Sequence, residues 1–97
     1  MNRPKSNPER HCYDWLKTEG WSVTRRGWPD FIAVKDGQVM FIEVKPHAVS
    51  KLKTSQIEIM EVLVKAGLEC YRYSPDIGLR PFDTALEYKR RETGNAS

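Results

Sequence analysis

The chain has 97 residues, of which 30% are charged and 39% hydrophobic, and a net charge of +3; one folded domain is expected and a wholly disordered chain is excluded. No apolar run approaches the ~20 residues of a membrane span and the first residues, MNRPKSNPER, lack a signal-peptide core, so a soluble, cytoplasmic protein is expected. The two cysteines, Cys12 and Cys70, stand apart from any CxxC spacing, which excludes a zinc finger or a disulfide framework and leaves two buried thiols.

Basic residues gather in the first 26 positions, in Lys45–Lys53 and at Lys89-Arg90-Arg91. That distribution points to an anionic partner. The chain reads as one unit over 1–97, with a core of about 7–91 and frayed ends at 1–5 and 92–97. Asn7-Pro8 supplies a cap followed by proline, and Gly20 a stop, which predicts a first helix over 7–19. WSVTRR (21–26) reads as a short strand. Then GWPDFIAV and VMFIEVK flank Lys35-Asp36-Gly37-Gln38, the signature of a hairpin closed by a two-residue type I′ turn. A basic loop over 46–53 leads to a second helix over 54–66, stopped by Gly67. LECYRY (68–73) reads as another strand, closed by Ser74-Pro75-Asp76. Phe82, Ala85, Leu86 and Lys89 at helical spacing predict a last helix over 82–91. The expected fold is a small α/β sandwich, a central mixed sheet flanked by helices.

The hairpin register carries chemistry. With Asp36-Gly37 in the turn, Lys35 pairs with Gln38, Val34 with Val39, Ile32 with Phe41 and Asp30 with Glu43. Side chains alternate along a strand, so Val34, Val39, Ile32, Phe41, Asp30 and Glu43 share one face, and Lys45 follows Glu43 on it. The other face carries Phe31, Ala33, Met40, Ile42 and Val44, all apolar or small. Carboxylates directly opposite each other repel, and partial burial strengthens the repulsion. Either one of them holds a proton, or a divalent cation sits between them; hard oxygen ligands suit Mg²⁺ or Mn²⁺. The plainer reading is a surface cluster in which Lys45 neutralises one acid.

Two more residues lean toward this end of the hairpin. Glu9 falls on the core-facing side of the first helix, between the directions of Tyr13 and Leu16, although Ser6-x-x-Glu9 equally fits a capping box. Gln56 lies on the inward side of the second helix's first turn, between Met60 and Leu63. There it can donate to a phosphate or a metal-bound water, or simply satisfy nearby backbone. Ile57, Ile59, Met60, Leu63 and Val64 form a broad apolar face beside it. His11 and His47 read as a helix-surface and a loop residue, and Trp28 as a packing residue.

Gly27-Trp28-Pro29-Asp30, Phe41-Ile42-Glu43-Val44-Lys45 and Ser55-Gln56 together resemble the PD-(D/E)xK nuclease superfamily, and within it the standalone members of the VRR-NUC family. The resemblance extends from Glu9 to about Tyr73. It implies a restriction-endonuclease-like fold, with Asp30 and Glu43 ligating Mg²⁺ or Mn²⁺ and the Val44 carbonyl as a further ligand. Lys45 would orient or deprotonate the attacking water, Glu9 would match the first-helix acid that completes the site, and Gln56 the helix-borne glutamine. Many relatives carry a longer arginine-containing loop where Arg25-Arg26 here runs straight into Gly27.

The expected reaction is metal-assisted hydrolysis of DNA phosphodiesters, with Arg25, Arg26, Lys51 and Lys53 on the backbone. One small domain has little room to read sequence. A branched substrate is expected, and paired cuts across a four-way (Holliday) junction would need a homodimer. Nuclease action on flaps, nicks or other repair intermediates, and a DNA-binding module with a weakened site, are the alternatives. The implied setting is a bacterial or virus-infected bacterial cell.

Overall fold

The computed structural model describes residues 7–24 and 29–95. Three helices and five strands follow one another as α1 (Asn7–Thr18), β1 (Ser22–Thr24), β2 (Phe31–Lys35), β3 (Gln38–Val44), α2 (Thr54–Lys65), β4 (Glu69–Ser74), β5 (Gly78–Pro81) and α3 (Thr84–Asn95). The strands form one mixed sheet in chain order. β1 pairs antiparallel with β2 and β2 with β3, β3 and β4 are parallel, and β5 returns antiparallel to β4. The α/β architecture with a mixed sheet and flanking helices is thus as the sequence predicts. No helix among the described residues is long and apolar enough to cross a membrane.

The hairpin forms in the expected register, with Lys35 opposite Gln38, Val34 opposite Val39 and Ile32 opposite Phe41. Asp36 and Gly37 both have positive φ, +50° and +79°, as a type I′ turn demands. This turn matches the right-handed twist of the strands it joins, so the register is locked locally.

Strand alternation then divides the core in two. Phe31, Ala33, Met40, Ile42, Val44 and Tyr73 pack with Cys12 and Leu16 of α1 on one face. Cys70 and the half-buried Phe41 pack with Leu52, Ile57, Met60 and Leu63 around α2 on the other. Both cysteines are buried and unpaired, as expected.

Several elements differ from expectation. β5 was not anticipated: Gly78-Leu79-Arg80-Pro81 lacks a β-rich run and forms because the turn after Ser74 brings it back along β4. β4 itself runs on to Ser74. α3 begins at Thr84 and extends to Asn95, so residues 92–95 continue a helix. Its inward residue is Glu87, fully buried, while Leu86 is 44% exposed. On α2 the apolar face is narrower than its sequence suggests, since Ile59 and Val64 are each 42% exposed.

The explanation for Glu87 is Arg72. Projecting from β4 toward α3 and only 3% exposed, Arg72 donates from Nη1 to both Glu87 carboxylate oxygens at 2.7 and 3.0 Å. Its Nη2 donates to the Ser50 carbonyl at 2.7 Å and the His47 carbonyl at 3.3 Å. Arg91 of α3 donates to the Leu52 carbonyl at 2.7 Å. The basic loop between β3 and α2 is therefore tied down through its carbonyls, which would otherwise lack partners.

Candidate active site

The polar end of the hairpin lies where β3 leaves the sheet. Extending the β2–β3 register one step past Phe31–Ile42 brings Asp30 opposite Glu43. Asp30 Oδ2 accepts the Val44 N–H at 2.8 Å, a charge-assisted bond that pins this carboxylate to the partner strand. Pro29 is buried beside it.

Glu43 is 3% exposed and projects to the α2 side of the sheet. Gln56 donates from Nε2 to its Oε2, while Gln56 Oε1 accepts the Lys53 N–H at 2.9 Å. A backbone N–H can only donate, so this second bond fixes the amide's orientation and leaves its NH₂ for Glu43. Gln56 thus satisfies backbone at the third residue of α2, one of the two readings its sequence position leaves open, and it also reaches the Glu43 carboxylate.

Glu43 Oε1 is buried with no hydrogen-bond partner among the described residues. Burial, and next the neighbouring Asp30 carboxylate, push the Glu43 pKa up to about 8, while Lys45 pulls it down. Lys45 is half-buried, and its backbone N–H is held by the Tyr73 carbonyl at 2.8 Å. Val44 is buried between Glu43 and Lys45 in β3. Asp30, Glu43, Lys45 and Gln56 thus meet at one place, contributed by the residue before β2, the end of β3 and the residue after it, and the start of α2.

Glu9 behaves differently. Burial raises the Cys12 thiol pKa, and the negative charges of Asp30 and Glu9 raise it further, so both acids lie near the same cysteine. Yet no group of three or more His, Cys, Asp or Glu among the described residues assembles close enough to hold one ion. The geometry gives the reason: α1 packs on the Ile42–Val44 face, whereas Glu43 projects to the α2 face. Glu9 therefore does not close a three-acid cluster with Asp30 and Glu43. Ser6, its capping-box partner, lies outside the described residues.

Of the expected backbone-binding cations, Lys51 and Lys53 are exposed on the loop leading into α2. Arg25 and Arg26, like Trp28, lie outside the described residues. His11 is exposed on α1 with Nδ1 2.5 Å from the Tyr73 hydroxyl. His47 is an exposed loop residue whose N–H donates to Ser50 Oγ at 3.2 Å.

The sequence reading missed Arg72 and Glu87. A signal was present: Arg72 alternates inward with Cys70 in CYRYS, a charge at a core position of a strand. Such a residue demands a buried carboxylate, and Glu87 supplies it from α3.

An orphaned carboxylate oxygen beside a second carboxylate fits a divalent cation. Asp30 and Glu43 supply hard oxygen donors, as Mg²⁺ or Mn²⁺ requires. No family model matches the chain, and no curated protein matches it.

Proposed function

We propose that the chain is a metal-dependent DNA endonuclease acting on branched DNA, with a four-way junction cut by a homodimer as the leading case. The observation that carries this reading is the buried, unpartnered Glu43 Oε1 next to Asp30. Leaving a buried polar atom unsatisfied costs about 1–3 kcal/mol, and more for a charged group. Binding a cation there would offset that cost. The VRR-NUC resemblance of Pro29-Asp30 and Glu43-Val44-Lys45 supports the same reading.

In this proposal Asp30 and Glu43 would hold Mg²⁺ or Mn²⁺, with the Val44 carbonyl as a further ligand. Bound there, the cation would polarise the scissile phosphate and lower the pKa of water. Lys45, whose charge already acts on Glu43, orients the attacking water and offsets charge gathering on the phosphate. Gln56 holds the Glu43 carboxylate in position, and Glu9 adds negative charge on the α1 side. Lys51 and Lys53, with Arg25 and Arg26, contact the DNA backbone.

The test is cleavage of a panel of branched DNAs, including junctions, flaps and nicked duplexes, with Mg²⁺, Mn²⁺ or chelator. Metal-dependent cutting of junctions, abolished in Asp30→Asn while binding persists, is the expected result. Cutting by Asp30→Asn at the parent rate would refute the mechanism. Preference for flaps or nicks would change the substrate and leave the chemistry in place.

A further inference from the structure

On the α2–α3 face of the sheet, a row of charged residues crosses four strands. Asp30 on the β2 side stands opposite Glu43 by the continued register, Glu43 pairs with Arg72, and Arg72 pairs with Arg80. Strands lie about 4.8 Å apart, so Arg80 on β5 is about 10 Å across the sheet from Glu43. Carboxylates occupy one end of this row and guanidiniums the other.

The guanidinium end opens into a cleft of about 500 Å³, within the range of sites that hold a nucleotide-sized group. Ile77, Pro81, Phe82 and Leu86 give it apolar walls, and Arg72, Arg80 and Arg90 line it with Glu87 and Asp83. Ala48, three residues after Lys45, lines it too, and its N–H is pinned by the Asp76 carboxylate at 3.1 Å.

The charges in the cleft are not equivalent. Glu87 is fully engaged, with Arg72 at 2.7 Å and Arg90 at 3.0 Å. Asp83 accepts the Leu86 N–H at 3.1 Å and caps α3. Among the described residues the Arg80 guanidinium has no hydrogen-bond or ion-pair partner, and the residue is exposed. Three guanidiniums against two committed carboxylates leave a positive surplus, and Arg80 is where it is available. A planar fork of donors on an apolar-walled cleft suits a phosphate group.

We propose that this cleft is a phosphodiester-binding subsite: Arg80 holds a backbone phosphate of the nucleic-acid strand that passes over Asp30 and Glu43. The subsite rests on the nuclease reading and adds to it a direction for the strand, across β3, β4 and β5. A contact to a backbone phosphate carries no sequence information, so the subsite serves any sequence.

The experiment measures binding of a fluorescein-labelled four-way junction by anisotropy across a salt series, in the cleavage-inactive Asp30→Asn protein. Adding Arg80→Ala should weaken binding roughly tenfold at low salt and lower the log–log salt slope by about 0.9, the signature of one lost phosphate contact. Arg80→Lys should recover most of the slope. Lys65→Ala, an exposed lysine on α2 paired with Glu61, should leave both quantities unchanged. Equal losses in Lys65→Ala and Arg80→Ala would overturn the subsite in favour of diffuse charge.

Unchanged binding in Arg80→Ala, with cleavage by the parent chain intact, would overturn the subsite and leave the nuclease reading standing. A parent chain that neither binds nor cuts DNA removes both. A free nucleotide carries the same phosphate chemistry. Adenosine monophosphate shifting the Gly78 and Phe82 amide resonances, with an unaltered DNA salt slope in Arg80→Ala, would assign the cleft to that ligand and overturn the proposal.

Discussion

A carboxyl group whose pKa rises on folding takes up a proton as the chain folds, so Glu43 links stability to pH. Its folded pKa is about 8 against the ordinary carboxyl value of 4.5. The folded state therefore binds more protons than the unfolded state between those values, and stability falls as pH rises through that window. Glu43→Gln removes the ionisation while keeping an acceptor for Gln56. At pH above 8 this variant should be more stable than the parent by several kcal/mol in urea denaturation, since each unit of pH across the window between the two values costs the parent about 1.4 kcal/mol. Near pH 4.5 the difference should vanish, because the parent is then protonated too. A gap independent of pH would place the effect in packing instead. Gln56→Ala removes both the Lys53 cap and the donor to Glu43. It should cost about 1 kcal/mol of stability, and cleavage at saturating metal should slow by roughly tenfold, as a lost hydrogen bond to a charged group predicts.

At the scale of elements, the hairpin was legible because one turn decides it. Asp36-Gly37 takes two positive φ values, and period-two alternation then sorts every residue of β2 and β3 to a face. The same alternation puts Asp30 and Glu43 together on one face. Gly37→Ala tests the turn: a Cβ there would meet no atom within 4 Å, so its cost is conformational, about 1–2 kcal/mol, with the hairpin register retained in amide exchange. What local patterns cannot carry is a partner distant in sequence. β5 has no strand signature of its own, and Glu87 lies inward only because Arg72 waits 15 residues back in the chain. Glu87→Ala strands that buried guanidinium and should cost about 3–5 kcal/mol. Replacing Arg72 and Glu87 together by apolar residues should recover much of it, which a double-mutant cycle would read. For Glu9, helical phase identified an inward acid but could not say which sheet face α1 would cover, and that face decides its distance from Glu43.

The whole molecule is small, with a radius of gyration of 13.3 Å, and it brings one pair of facing carboxylates to one end of one sheet. Paired cuts across a junction therefore require two chains, and sedimentation should give about twice the monomer mass of 11.3 kDa. A monomer at micromolar concentration would remove the paired-cut reading but not the chemistry. That chemistry depends on Asp30 and Glu43 sharing a divalent ion, and titration calorimetry with Mn²⁺ alone measures it most directly. At neutral pH the parent should bind one ion per chain and release a proton from Glu43, seen as a buffer-dependent enthalpy, and Asp30→Asn should abolish both. Binding of equal affinity in Asp30→Asn, or none in the parent even with DNA bound, would contradict the account.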